Sequence, residues 1–78
     1  MNYKKQFSHH YSNYSLPINF MKKLKSKGLK PSHKAYPYLL GVWRWFLNNE
    51  YITAKQKHYV EDTCRRFRWD IASEIEEI

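Results

Sequence analysis

The sequence predicts an all-α protein: a compact three-helix domain over residues 16–78, with a short basic helix, an apolar central helix and a long C-terminal helix, preceded by a flexible N-terminal arm over residues 1–15. Three observations carry that prediction. Apolar residues recur at helical spacing in three separate segments, capping residues stand at the ends of those segments, and the first fifteen residues have no periodicity. A chain of 78 residues makes one domain at most. It buries only roughly 60–65% of its unfolded surface. With 42% hydrophobic and 18% aromatic residues, it is apolar enough to fold.

In the arm, Tyr3, Phe7, Tyr11 and Tyr14 are scattered among Lys, Ser, His and Asn, with no apolar run of the kind a signal peptide needs. The first helix is expected over Leu16–Lys27, with Ser15 as N-cap and Pro17 in the first turn. Pro17, Phe20, Met21 and Leu24 form its apolar face, and Lys22, Lys23, Lys25 and Lys27 occupy the rest. Gly28 stands where a helix-closing left-handed residue belongs, with Leu29 placed for the accompanying apolar contact and Pro31 just beyond.

The second helix is expected over Pro37–Asn48. Leu39, Val42, Trp43 and Phe46 make one stripe, and Tyr38, Leu40, Trp45 and Leu47 spread apolar surface round the remainder. So small a chain has little left to cover that surface, which leaves Tyr38, Trp43 and Trp45 as candidates to face solvent or a partner. A short turn over Asn48–Ile52 follows. Thr53 and Gln56 then form a capping box that opens a helix running to about Glu76. Val60, Cys64, Phe67, Ile71, Ile75 and Ile78 are its stripe. The segment Trp45–Lys57, WFLNNEYITAKQK, resembles helical hairpins of bacterial and phage proteins whose second helix opens with Thr/Ser-x-Lys-Gln, and it carries no function with it.

Nothing in the chain names a reaction. His9, His10, His33 and His58 are the available bases and Cys64 is the only thiol. His-Glu-x-x-His, Cys-x-x-Cys and a Gly-rich phosphate loop are all missing. His58 and Asp62 lie four apart, as do Asp70 and Glu74, but no further pair is spaced to complete a closed metal site. The expectation is a non-catalytic protein with no cofactor and no metal. A single cysteine points to a cytoplasmic setting, and the longest apolar stretch, Tyr36–Leu47, is too short to span a bilayer.

Charge is more informative. The formal net charge is +7, from 14 Lys and Arg against 7 Asp and Glu. From Met1 to Asn49 there are nine basic residues and no acid, whereas Asp70 to Ile78 holds four acids and no base. Cations without local counter-charge are stabilised by an external anion. Lys22, Lys23, Lys25, Lys27, Lys30 and Lys34 therefore form a candidate phosphate-contacting strip, supported by Lys55, Gln56 and Lys57 at the opening of the third helix. Arg68 joins them because it has no acid four residues before it, whereas Arg65 and Arg66 have Glu61 and Asp62 there. Tyr36, Tyr38, Trp43, Arg44 and Trp45 are candidates to stack unpaired bases or to anchor a protein partner.

The functional expectation is thus nucleic-acid binding, with RNA or single strands favoured over duplex DNA. Base reading by Thr53, Lys55, Gln56 and Lys57 would require the second and third helices to form a helix-turn-helix, and a plain hairpin serves as well. The rival expectation is an inhibitor or adaptor that docks on a larger acidic or nucleic-acid-handling protein. Self-association would cover the same apolar surface. Abundant Lys, Asn, Tyr and Ile with scarce Gly and Ala fit an AT-rich genome, such as that of a low-GC bacterium or its phage.

Overall fold

The structure is a computed structural model that describes residues 12–78. Its order is β1 (Asn13–Ser15), α1 (Phe20–Ser26), α2 (Tyr36–Asn49), β2 (Ile52–Thr53), α3 (Ala54–Phe67), a 3-10 turn (Ala72–Glu74) and β3 (Glu76–Glu77). Three helices form, as the apolar periodicity requires, but the protein is not all-α. A three-stranded antiparallel sheet of order β2-β1-β3 joins the two ends of the described chain. Asn13 and Tyr14 pair with Thr53 and Ile52 on one side, and Tyr14 and Ser15 pair with Glu77 and Glu76 on the other. The Ile78 amide adds a bond to the Asn13 carbonyl at 2.8 Å.

The sheet corrects three expectations. Asn13–Ser15, placed in the arm, is the central strand. The rest of the expected arm, residues 1–11, lies outside the described residues. Ser15 is a strand residue and not a cap, so α1 starts four residues later than expected. It opens at Asn19, which makes no side-chain capping bond. The turn before α3 contains β2, whose Ile52 is fully buried.

The third helix is shorter than its apolar stripe. It ends at Phe67, where Arg68 turns left-handed at φ 59°. The Trp69 amide then donates to the Cys64 carbonyl at 2.9 Å and the Arg68 amide to the Arg65 carbonyl at 3.3 Å, which is a Schellman closure. Ile71 and Ile75 are buried as the stripe predicts, but they lie beyond the helix, around the 3-10 turn, and Ile78 is exposed. Asp70 and Glu74 consequently do not share a helix face.

The end of α1 and the start of α3 agree with the capping signals. Gly28 is left-handed at φ 121°, with the Leu29 amide bonded to the Leu24 carbonyl at 3.0 Å. Leu24 and Leu29 are both buried, which completes the apolar contact. The capping box of α3 is present in both directions: Gln56 N–H donates to Thr53 Oγ1 at 3.1 Å and Thr53 N–H to Gln56 Oε1 at 2.8 Å. Glu50 closes α2 in a left-handed conformation, its amide bonded to the Phe46 carbonyl at 2.7 Å.

The core lies between the helices and one face of the sheet. Phe20, Met21 and Leu24 of α1 meet Leu39 and Val42 of α2, Ile52 of β2, Val60 and Cys64 of α3, and Trp69, Ile71 and Ile75 of the C-terminal segment. Phe67, expected in the core, is half-buried at its edge. Burial pushes the Cys64 thiol up to about 11, with the nearby Glu61 carboxylate adding to the effect, so it packs as a small apolar group.

Candidate nucleic-acid interface

The expected lysine strip is largely exposed, but it is not uniform. Lys22, Lys25, Lys27, Lys30 and Lys34 are exposed, and none has a carboxylate within ion-pair distance among the described residues. Lys23 differs: its ammonium is ion-paired with Glu74 of the 3-10 turn, across 51 positions of sequence. One of the four C-terminal acids is thereby spent holding α1 to the end of the chain.

Two of the free lysines lie over aromatic rings. Lys25 Nζ is 5.9 Å from the centroid of Tyr36, and Lys34 Nζ is 5.7 Å from that of Phe67. The second contact carries the 30–34 loop to the far end of α3. His33 secures it there, its ring edge-on to Phe67 at 4.5 Å and 5.2 Å from Trp69. Ala35 N–H donates to His33 Nδ1 at 3.0 Å, which makes that nitrogen an acceptor. Exposed Arg68, next in the chain after Phe67, thus joins the loop lysines at one end of the molecule.

The residues that open α3 divide. Gln56 is occupied by the cap. Lys57 is ion-paired with Glu61 at 2.8 Å and lies 4.9 Å over the Tyr14 ring, so it fastens α3 to β1. Lys55 alone of the three is exposed. The expected Glu61–Arg65 and Asp62–Arg66 pairs do not form. Glu61 goes to Lys57, and Asp62 Oδ1 takes a long contact of 3.5 Å from Arg65.

The aromatic candidates also separate. Trp43 is half-buried between Phe20 and Phe46, with centroids 5.8 and 5.7 Å away, and packs against the core. Tyr36 is half-buried beneath Lys25. Arg44, Tyr38 and Trp45 are exposed, and Trp45 rests edge-on against Tyr51 at 6.2 Å. Tyr38 stacks on Tyr59 of α3 at 3.8 Å and 22°.

That stack walls a groove of about 540 Å³ between α2 and α3, lined among others by Tyr38, Gly41 and Val42 on one side and Lys55, Tyr59 and Asp62 on the other. Gly41 lies within α2, and a Cβ built on it meets nothing within 4 Å. A helix-interior glycine costs about 0.8–1 kcal/mol relative to alanine, and no neighbour requires one here. Tyr59 and Gly41 were absent from the sequence-derived candidates. The i, i+4, i+7 run Lys55, Tyr59, Asp62 shows one face of α3 in the sequence, but what that face meets depends on how α2 crosses it.

Among the described residues, no three His, Cys, Asp or Glu side chains gather as a metal site, and no helix is long and apolar enough to cross a membrane. No family model matches the chain, and neither the curated proteins nor the solved structures yield a match.

Proposed function

We propose that this is a small, non-catalytic nucleic-acid-binding protein that contacts phosphates of single-stranded or folded RNA through the exposed lysines of α1 and the following loop. The observation that carries the reading is the set Lys22, Lys25, Lys27, Lys30 and Lys34, exposed and without carboxylate partners among the described residues, with Lys25 and Lys34 lying over the rings of Tyr36 and Phe67. Lysines fix the strand by its backbone, and exposed rings accept splayed bases whatever their sequence. Lys23, paired with Glu74, stands outside this set.

The test is a titration of a single-stranded RNA oligomer over a range of salt. Affinity should fall with a log–log slope of roughly −0.7 for each phosphate contacted. Charge reversal at Lys27 and Lys30 should weaken binding for all sequences alike and flatten the slope by about two contacts. Absence of binding at low salt overturns the reading.

A second reading has its own support. Trp45 and Leu47, at 39% and 60% exposure, put apolar surface on the outside of α2 next to Arg44. Tryptophan and arginine anchor protein interfaces. Under this reading the protein docks on a nucleic-acid-handling protein, Trp45→Ala abolishes that complex, and reversal of the lysines only slows association at low salt.

A further inference from the structure

We infer that the groove between α2 and α3 is a site for one unpaired nucleobase, with guanine as the base it fits best. The inference rests on the nucleic-acid reading and adds to it a second, base-selective contact apart from the lysine loop.

Three features of the groove converge on that ligand. Its wall is the Tyr38 ring, 57% exposed, which lies stacked on the Tyr59 ring of α3 at 3.8 Å, so that one of its faces is covered. A backed, exposed ring is a ready stacking platform for a planar base. On the α2 side the groove is bordered by exposed Gly41, where no side chain stands and nothing lies within 4 Å of a Cβ position. Glycine is disfavoured at a helix interior, and its use here keeps the space beside Tyr38 open. Its two ends carry opposite charge. Lys55 and Asp62 lie seven residues apart on one face of α3, roughly 10 Å along the axis, and both border the groove.

That polarity suits a single nucleotide lying along the groove, its phosphate at the Lys55 ammonium and the edge of its base at the Asp62 carboxylate. A carboxylate only accepts hydrogen bonds, and it accepts two from a donor pair. Guanine offers such a pair, the N1–H and the exocyclic amino group, on its Watson–Crick edge. Adenine and cytosine offer one amino group, and uracil a single N–H between two carbonyls that face the carboxylate unfavourably. Arg65 touches Asp62 only through Oδ1 and at 3.5 Å, so the carboxylate is not held away from a base. The groove's volume of about 540 Å³ lies within the ordinary range for small-molecule sites.

The test uses guanosine and uridine 5′-monophosphates against the full chain, followed by amide and ring resonances, beside hexamers of uridine with and without one central guanosine. Guanosine monophosphate should shift the resonances of Tyr38, Gly41 and Tyr59, and uridine monophosphate should shift them much less. The single guanosine should tighten the hexamer at least about fivefold. Asp62→Asn should erase that preference while keeping the salt slope, and Gly41→Leu, a good helix former placed in open space, should remove the response of Tyr38 to the mononucleotide. Hexamers that bind with a steep salt slope while the groove resonances stay still, or a guanosine preference that survives both substitutions, overturn the inference and leave the nucleic-acid reading standing. Groove shifts with guanosine monophosphate but no hexamer binding at low salt uphold the site and overturn the broader reading. Silence in both overturns both.

Discussion

The ends of α1 and α3 close with the same geometry and different residues. Each has a left-handed residue, a 6→1 bond from the next amide, and a buried apolar contact across the closure. At α1 the residues are Gly28, Leu29 and Leu24, and at α3 they are Arg68, Trp69 and Cys64. Glycine adopts the left-handed conformation without steric cost, so the first closure is set locally. Arginine resists it by about 1–2 kcal/mol, so the second must be imposed from outside. What imposes it is the burial of Trp69, 6% exposed against Cys64, His33, Phe67 and Gly28. Pairing of Glu76 and Glu77 with β1 holds the chain beyond. The two closures also touch: a Cβ at Gly28 would lie 3.7 Å from the Trp69 indole nitrogen.

Removing the tryptophan breaks this comparison most severely. Trp69→Ala should cost about 3–5 kcal/mol, which takes most of the stability of a domain this size. Denaturant unfolding followed by circular dichroism measures it. A loss below about 1 kcal/mol would mean that Arg68 turns left-handed for some reason other than the indole.

Gly28→Ala comes next, with an expected loss of about 1–3 kcal/mol. The added methyl meets only ordinary contact with Trp69, so the cost is conformational and arises from φ 121°. Should the variant unfold at the wild-type midpoint, the closure of α1 does not depend on glycine.

Arg68→Gly has the opposite sign. Relief of the left-handed strain, less the extra chain entropy of glycine, should stabilise the fold by about 0.5–1 kcal/mol. If Arg68 contacts phosphate, the same substitution should also flatten the salt dependence of RNA binding by about one contact. A more stable protein that binds less tightly would show the strained residue is kept for its charge, and unchanged binding would confine Arg68 to the fold.

The effect that is smallest near neutral pH, and grows only in alkali, separates the two closures by pH. Across from the left-handed residue stands Leu24 at α1, which cannot titrate, and Cys64 at α3, which burial raises to about 11. A thiol raised above its unfolded value favours the protonated fold. The stability it contributes is complete below the unfolded pKa of roughly 8.5 and is lost as pH rises toward about 11. Midpoints measured across that window should fall in the wild type more steeply than in Cys64→Ala, and equal slopes would show that the thiol does not report on the closure.

Local chemistry determined a good deal. The capping box at Thr53 and Gln56, the closure at Gly28 and the apolar faces of α1 and α2 are short-range features that the residues themselves specify. Among the candidate site residues, the lysines of α1 and the following loop were legible because a charge with no neighbouring acid stays at the surface. Lys23 was not, because its partner Glu74 comes from the far end of the chain.

Tertiary structure decided the rest, for one physical reason. A strand of two or three residues carries too little pattern to be read and gains its hydrogen bonds only from distant partners. Asn13–Ser15 therefore became the centre of a sheet because Ile52–Thr53 and Glu76–Glu77 are brought to either side of it. The stripe from Val60 to Ile78 predicted burial correctly at Val60, Cys64, Ile71 and Ile75 but not at Phe67 or Ile78, and helix correctly only as far as Phe67. Burial is set by side-chain type, whereas continuation of a helix past Phe67 is settled by where Trp69 finds its pocket. The groove over Gly41 is likewise a product of two helices crossing. Its parts lie in plain view along the chain, and only their meeting makes a site.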